Sequence, residues 1–547
     1  MESPENYTDD ERELLSRYFT NLDSPVFALV NLPEVVKGAL FARYSRSRKS
    51  LRRLFLDEFV GELDVLGDAG LDATIGLRRA EQLYDRVFSD YGDDSVAQLG
   101  GVHLACEQSS NLLTKILERG RLMSFLEQST RYIAFDSRLP SGHYRYVREP
   151  AILDSPLGAR YVGEMDRMFD TYGELLGELQ AYVQRRSPVA RGISELAHRQ
   201  AVRARCLDAL RGLLPAGSLS NVGIYGSGQA YELLLLRMRA DPLEEAHRCA
   251  DMMLDELRKV IPSFLTRVDR ADRGGAWVEY MKTTTQQTAE AMSELWPDKV
   301  PSEGASVSLV ESDPGAEDKV LTAICYPRSN LSERELAERV RVLGDDDRRR
   351  LMRAYVGERQ NRRHRPGRAF EQASYRFDVV SDYGAFRDLQ RHRLLTIEWQ
   401  RLGTELGYEV PELVTEAGLD ARYRESLERS RALHDALETH FPVLCGYAVA
   451  LGYNIRFSMQ MNAREAMHVI ELRSTSQGHP VYRKVVTQMH RLIREQAGHA
   501  LIADAMIFAD HGEVDLGRLD AEQRAVSGSV VPGRSDPPFS RENRREL

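Results

Sequence analysis

The stretch "ILERGRLMSFLEQSTRYIAF", residues 116–135, places Arg119, Arg121 and Arg131 among leucine, isoleucine, methionine and phenylalanine. Arginine recognises carboxylates and phosphates through a planar fork of N–H donors, so the stretch suits a small anionic ligand. A related motif, "RHRLLTIEWQRLG", begins at Arg391. Two motifs of one pattern in one chain indicate an internal repeat.

The two halves of the chain run in the same order around these motifs. Each half opens with a short β-like run and then a helix, from Val26 and from Val307. Each closes with an apolar helix that ends in arginine, "GQAYELLLLR" at Arg237 and "NAREAMHVIELR" at Arg473. Most of the remaining sequence has helical periodicity. We therefore predict a helix-rich α+β fold in two tandem copies.

The predicted domain boundaries follow from composition. Proline, glycine, serine and acidic residues interrupt the helical patterns at 296–319, where the two halves meet. We predict a first module at 24–270, a linker at 271–304 and a second module at 305–510. The end, 527–547, is rich in proline, glycine and charge and has no apolar face, which predicts a disordered tail.

Composition narrows the class of protein. The 547 residues are 42% hydrophobic and 29% charged, as in a soluble globular protein. The net charge of -9 gives no positive field for nucleic acid. Five scattered cysteines without a CxxC pair argue against disulfides and structural zinc and fit a reducing cytoplasm. The acidic N-terminus and the lack of long apolar runs predict neither export nor membrane insertion.

The closing helices place arginine at the edge of an apolar face. Ala463, Ala466, Met467 and Ile470 form one helical stripe, and Arg473 follows Ile470 by three residues. Arg237 follows Leu233 and Leu234 in the same way. A buried guanidinium needs an anionic partner. An internal carboxylate, a snorkelling side chain and an anionic ligand all remain open as that partner.

The segment "EQSTRYI" offers a second candidate contact. Ser129 and Arg131 are two residues apart, so in an extended segment they would point the same way. A hydroxyl beside a guanidinium suits a phosphate group. The same pattern occurs on ordinary exposed strands, and that alternative also stays open.

The ordered combination resembles the signature of the flavin-dependent thymidylate synthases, in which Arg-His-Arg is followed by seven residues and a serine. Here "RGR" is followed by seven residues and Ser129, then "TRY", and later an arginine-ended helix. The resemblance implies methylation of dUMP, or a related uracil nucleotide, at C5. It implies FAD as cofactor, with NADPH and methylenetetrahydrofolate as co-substrates. A cysteine nucleophile is not required.

The resemblance also implies roles for individual residues. The catalytic candidates, which would face the pyrimidine ring, are Arg237 and Arg473. The cofactor-binding candidates are Arg391, His392, Arg393, Asn462, His468, Arg119 and Arg121. The substrate-binding candidates are Glu127, Ser129, Arg131 and Tyr132. No residues are assigned to a metal.

Neither repeat matches the signature fully. Gly120 stands at the histidine of the triplet in the first repeat, and Gly226 and Glu232 stand where polar flavin contacts are expected. In the second repeat Arg401 replaces the serine. The first repeat thus resembles a nucleotide half-site and the second a flavin half-site. The family's tetrameric sites imply a homodimer that forms a four-module assembly.

Three hypotheses follow from these patterns. The first is a working flavin-dependent methyltransferase of uracil nucleotides. The second is a degenerate paralogue that binds FAD or nucleotide without turnover and has a regulatory or partner role. The third is a helical scaffold whose motifs are structural.

Overall fold

The computed structural model describes residues 6–32, 40–41, 44, 47–58, 101–189, 194–296 and 306–512. The predicted tail, 527–547, and part of the predicted linker lie outside these residues. The strands are β1 Val26–Leu29, β2 Gly101–Ser110, β3 Met123–Glu127, β4 Leu219–Ser227, β5 Val307–Ser312, β6 Ser374–Asp382, β7 Thr396–Trp399 and β8 Asn454–Asn462.

The helices fall into two chain segments. Up to residue 296 they are α1 Asp9–Ser16, α2 Leu51–Glu58, α3 Asn111–Leu117, α4 Pro150–Leu153, α5 Gly158–Arg186, α6 Glu195–Leu210, α7 Gly228–Ala240, α8 Glu244–Arg258 and α9 Ala276–Leu295. From residue 306 they are α10 Ala316–Cys325, α11 Glu333–Arg341, α12 Asp345–Val356, α13 Tyr383–Gln390, α14 Glu412–Glu416, α15 Asp420–Glu438, α16 Ala463–Arg473, α17 Pro480–Glu495 and α18 Ala500–Asp504.

Two four-stranded antiparallel sheets organise the chain. Their strand orders are β1-β2-β4-β3 and β5-β6-β8-β7, so the second sheet repeats the topology of the first. In each copy, the chain between the two central strands contains a helix followed by the edge strand. The arginine triplet lies between that helix and that strand. The predicted α+β fold in two tandem copies is confirmed. Among the described residues, no helix is long and apolar enough to cross a bilayer.

The chain divides into two compact units, each built around one sheet. Unit 1 contains 1–176, 213–301 and 419–450, and unit 2 contains 177–212, 302–418 and 451–547. Unit 1 therefore includes α15, and unit 2 includes α6, each from the other half of the sequence. In unit 1, the Ser430 hydroxyl of α15 donates to the carbonyl of Ala448 at 2.7 Å. In unit 2, Arg211, which caps α6, lies 3.2 Å from the Asp388 carboxylate.

The second sheet buries one face against helices because its central strands alternate in exposure, whereas all four residues of β1 in the first sheet are buried. In β6, Tyr375, Phe377 and Val379 are buried at every second position. In unit 2, α16 and α17 pack near this sheet, and Val469 and Val485 are buried. In unit 1, α7 and α8 supply Leu235 and Met253 to a core that also contains strand residues.

Candidate functional site

The site of unit 2 begins where β8 passes into α16. Asn462 is the N-cap of α16, and its Oδ1 accepts a hydrogen bond of 2.9 Å from the backbone N–H of Glu465. Asparagine is among the residues that satisfy the open N–H groups at a helix start. The predicted apolar stripe of this helix is buried, at Ala463, Ala466, Met467 and Ile470. The cap thus sets the direction of His468 and Arg473.

Arg473, in the last turn of α16, is held by groups of the same unit. Its Nε donates to Nε2 of His392 at 3.0 Å, and one Nη donates to the carbonyl oxygen of Asp388 at 2.5 Å. The other Nη lies 3.8 Å from the Asp388 carboxylate. Of the partners left open by the sequence, an internal carboxylate is therefore present. The guanidinium is also anchored by a ring and a carbonyl, at shorter distances than that carboxylate.

His392, the middle residue of the arginine motif, lies at the centre of the cluster. Its Nδ1 is 3.4 Å from a carboxylate oxygen of Glu465, and both side chains are buried. Burial, followed by the charge of Arg473, holds the pKa of His392 well below its usual range. The ring is therefore neutral. Because Nε2 accepts from Arg473, Nδ1 carries the proton and points it at Glu465.

His468 adds a second neutral imidazole. Its ring packs edge-on against His392 with centroids 5.2 Å apart. Arg365 donates to its Nδ1 at 2.8 Å. Burial, and then the charges of Arg365 and Arg473, lower the pKa of His468 to about 4. Arg365 was missed by the sequence analysis, because the arginine-rich run around it has the composition of a solvated surface.

Glu465 completes this network, which we call the imidazole cluster: His392, Glu465, His468, Arg473 and Arg365. Burial raises the pKa of Glu465 to about 7, against the opposing charges of Arg365 and Arg464. The carboxyl is thus poised to gain or lose a proton near neutral pH.

The cluster includes a donor set that a divalent cation would use. Ligand atoms of His392, Glu465 and His468 all lie within 4.8 Å of one another. However, guanidinium groups of Arg473 and Arg365 donate to both rings, so they occupy the nitrogen lone pairs and repel a cation. The arrangement favours an anionic ligand rich in hydrogen-bond acceptors.

The two arginines of the triplet lie at the edge of the cluster. Arg391 follows α13 directly and is half-buried, close enough to Arg473 for its charge to lower the pKa of that guanidinium further. Arg393 is exposed. The structure therefore brings Arg391, His392, His468 and Arg473 together, with Asn462 positioning the helix beneath them.

Unit 1 has a matching helix start, but with serine at the cap. Ser227 caps α7 by accepting from the N–H of Ala230, as Asn462 caps α16. The edge strands give the same register, because Tyr225 pairs with Ser124 and Gln460 pairs with Thr396, each five residues after the first arginine of its motif. Two independent features thus equate Ser227 with Asn462. The sequence alignment, which put Gly226 at that position, was wrong by one residue.

With this register, four members of the imidazole cluster, and Asp388 beside it, have no polar counterpart in unit 1. Each equivalent residue is glycine or apolar: Gly120 for His392, Ala230 for Glu465, Leu233 for His468, Met238 for Arg473 and Ile116 for Asp388. Met123 fills the space beside the glycine, since a Cβ on Gly120 would lie 2.9 Å from its sulfur. These side chains of the imidazole cluster are therefore present in unit 2 and absent from the equivalent positions of unit 1.

Comparison with known proteins agrees with the repeated architecture. A family model described as thymidylate synthase complementing protein, Thy1, matches residues 42–263 and again 308–498. The chain belongs to the Thy1 family. Each match contains one of the two arginine motifs, so the duplication is a duplication of the Thy1 domain.

Several relatives share the whole tandem arrangement. A UPF0159 protein of Chlamydia muridarum is 39% identical over 523 residues, which cover 95% of this chain and 98% of the relative. One of Chlamydia pneumoniae is 38% identical over 95% of this chain and 98% of its own length. One of Thermoplasma acidophilum is 29% identical over 89% of this chain and 98% of its own length. The two-copy Thy1 chain is thus similar, over nearly its whole length, to proteins of three organisms.

In the first Thy1 copy, the "EQSTRY" segment is a turn. The Ser129 hydroxyl accepts from the N–H of Arg131 at 3.2 Å, and its carbonyl accepts from the N–H groups of Tyr132 and Ile133. The prediction of an extended segment was wrong, because serine satisfies the backbone locally instead of pairing with β4. Ser129 and Arg131 remain half-buried, and Tyr132 is exposed.

The other candidates of the first copy differ in exposure. Arg237 is exposed, so its predicted place on the border of the buried face was wrong. When Ser227 is aligned with Asn462, Arg237 is equivalent to Leu472 and not to Arg473. Arg119 and Arg121 are also exposed. Glu127 is buried, 3.3 Å from the ammonium of Lys115, in a charged group that the sequence pattern did not reveal.

Proposed function

We propose that this Thy1 protein is a flavin-dependent methyltransferase that methylates dUMP, or a related uracil nucleotide, at C5. Methylenetetrahydrofolate would supply the carbon and NADPH the reducing equivalents. The observation that carries the proposal is the imidazole cluster of unit 2. Neutral imidazoles and anchored guanidiniums are donors and acceptors for a flat, acceptor-rich ligand with phosphates, so the residues fit FAD.

The cofactor would be held by Arg391, His392, Arg393, Asn462 and His468. When bound, reduced FAD supplies a hydride. The protein residues would orient the ligands and exclude water from the site. Asn462 uses its Oδ1 for the helix cap, so its amide nitrogen is the group it would offer a ligand. His392 is fixed by Arg473 on one side and Glu465 on the other, which supports a pre-set ring orientation.

Arg473 is the catalytic candidate that the geometry supports better than Arg237. Its guanidinium is anchored by His392 and by the Asp388 carbonyl, so it needs no reorganisation to face negative charge that arises on a pyrimidine ring. Arg237 is exposed, whereas Arg473 lies within the imidazole cluster. We retain Arg237 only as an alternative for the first copy.

The nucleotide phosphate would lie against the Ser129 turn, with Arg131 as its cation. Glu127 and Tyr132 flank this turn, and Arg119 and Arg121 would carry further phosphate contacts.

The active form would be a cytoplasmic homodimer of four Thy1 modules, without nucleic acid or membrane partners. These assignments rest on the family's signature.

A second candidate is a binding protein without turnover. It is favoured by a specific observation, because the first copy has replaced the polar members of the cluster and the second copy has Arg401 in place of the signature serine. Such a protein would keep FAD or nucleotide in a regulatory role.

Turnover distinguishes the two candidates. Purified protein is supplied with dUMP, methylenetetrahydrofolate, NADPH and FAD, and dTMP is measured by chromatography. We expect dTMP from the parent and a large loss in Arg473→Met, with Arg203→Ala, an exposed arginine, as control. Bound FAD with no dTMP would support the binding protein, and neither FAD binding nor dTMP would overturn both.

A further inference from the structure

A separate group of ligand-type side chains lies at the end of α15 in unit 1. His434 and Glu438 are four residues apart on this helix, so they project from the same face. Cys445 lies in the short turn Leu444–Ala448 that packs against the helix. Sequence spacing alone does not mark this group, because the cysteine has no CxxC partner.

The three side chains converge. One ligand atom from each of His434, Glu438 and Cys445 lies within 4.8 Å of the other two. Zinc bonds to nitrogen, oxygen and sulfur are about 2.0–2.3 Å long, so tetrahedral ligands are separated by roughly 3.3–3.8 Å. Metal binding would require the three atoms to close to that spacing, and Glu438 is exposed.

Asp435 orients the histidine as metal sites require. Nδ1 of His434 lies 3.1 Å from a carboxylate oxygen of Asp435 and would donate its proton there, so Nε2 would be the ligand atom once metal binding has displaced its own proton. Metal-bound histidines commonly donate their other N–H to a carboxylate in this way.

Burial and charge suit a metal that prefers sulfur. His434 is 1% exposed and Cys445 0%, whereas Glu438 is exposed and leaves an entry path. The acidic groups Asp435 and Glu438 face the imidazole, unlike the arginines of the imidazole cluster. The Cys445 thiol donates to the carbonyl of Pro442 at 3.3 Å, and metal binding would displace that proton.

We propose that His434, Glu438 and Cys445 form a zinc site, with water as the fourth ligand. Thiolate and imidazole ligands select zinc over magnesium or calcium. The site would tie the last turn of α15 to the following turn. One turn earlier, Ser430 already makes such a link, because its hydroxyl contacts Ala448 and Ala450 at 2.7 and 2.9 Å. The inference is independent of the proposed methyl transfer.

Cobalt substitution tests the site in the full-length protein. The chelator-treated protein is titrated with Co²⁺, and the absorption spectrum is recorded. We expect one equivalent to give a thiolate-to-cobalt charge-transfer band, which Zn²⁺ removes. The imidazole cluster contains no sulfur among its ligands, so it cannot give this band.

Variants assign the band to these residues. Cys445→Ser should abolish it, and Glu438→Gln should weaken Co²⁺ binding about tenfold or more. Cys325→Ser, a half-buried cysteine of unit 2, is the matched control and should keep the band. Circular dichroism checks the fold, and exposed Glu438→Gln serves if Cys445→Ser does not fold. A parent without the band, a band that survives Cys445→Ser, or unchanged affinity in Glu438→Gln would overturn the zinc site.

Discussion

Arg473 donates a hydrogen bond of 3.0 Å from Nε to Nε2 of His392, which is buried. The bond joins the last turn of α16 to the arginine motif that follows α13. It also fixes the tautomer of His392 and directs the other ring nitrogen at Glu465. One contact therefore determines both the position of the guanidinium and the protonation of the ring.

The first prediction concerns this contact. Replacing Arg473 by methionine removes a positive charge that lowers the pKa of His392, so that pKa should rise. The pKa of His392 is measured from the nitrogen chemical shifts of its ring, recorded by NMR as a function of pH. Arg203→Met, at an exposed position of α6, should leave the pKa of His392 unchanged. A His392 pKa that stays at its parental value in Arg473→Met would contradict the proposed coupling.

Much of this fold follows from patterns that act locally. The stripe from Ala463 to Ile470 is buried as predicted, because helical periodicity and an asparagine cap act within a few residues. Membership of the units does not follow from such patterns. That α15 belongs to unit 1 and α6 to unit 2 depends on long-range packing, which leaves no periodic trace in the sequence.

The second prediction uses the titration of Glu465. Its pKa is about 7 in the folded protein against 4.5 when unfolded, so the unfolded state ionises first as pH rises. The free energy of unfolding should therefore fall by about 3 kcal/mol between about pH 4.5 and 7 because of this group. Glu465→Gln should remove that part of the pH dependence and be more stable than the parent at pH 8. Urea unfolding at several pH values measures this, and identical pH profiles for parent and variant would contradict it.

The third prediction concerns the buried pair of Arg359 and Glu471. The two groups form a two-pronged contact with distances of 2.6 and 2.5 Å, and both side chains are at most 2% exposed. Arg359→Met leaves a buried carboxylate without its cation, which should cost about 3–5 kcal/mol of unfolding free energy. The double variant Arg359→Met/Glu471→Leu should regain part of that loss. A single variant as stable as the parent, by urea unfolding, would show that the pair contributes little.

The fourth prediction tests the nucleotide half-site. Charge-assisted contacts contribute roughly 1.5 to 3 kcal/mol, so Arg131→Ala should weaken dUMP binding about ten- to a hundredfold. Isothermal titration calorimetry measures the affinity. Arg203→Ala, at an exposed position, should bind as the parent does. Equal affinity of parent and Arg131→Ala would mean that the Ser129 turn is ordinary structure.

The candidate site was predictable only where a motif names its residues. His392, Asn462, His468 and Arg473 were found because they resemble a family signature. Arg365 was missed because a loop contact across the unit has no fixed spacing from His468. The sequence comparison also misplaced the first copy by one residue. Ser227 and Gly226 are neighbours, and only the structure shows that Ser227 caps the helix.

The central claim is that the second Thy1 copy, and not the first, holds the flavin. The most direct measurement is the FAD content of the purified protein, from its absorption spectrum, in a variant that gives unit 2 the residues of unit 1. Asn462→Ser/His468→Leu keeps a helix cap but removes the amide and the imidazole. Its matched control carries Ser227→Thr/Leu233→Met at the equivalent positions of unit 1. We predict bound FAD in the parent and the control and its loss in Asn462→Ser/His468→Leu; parental FAD content in that variant, with circular dichroism unchanged, would contradict the claim.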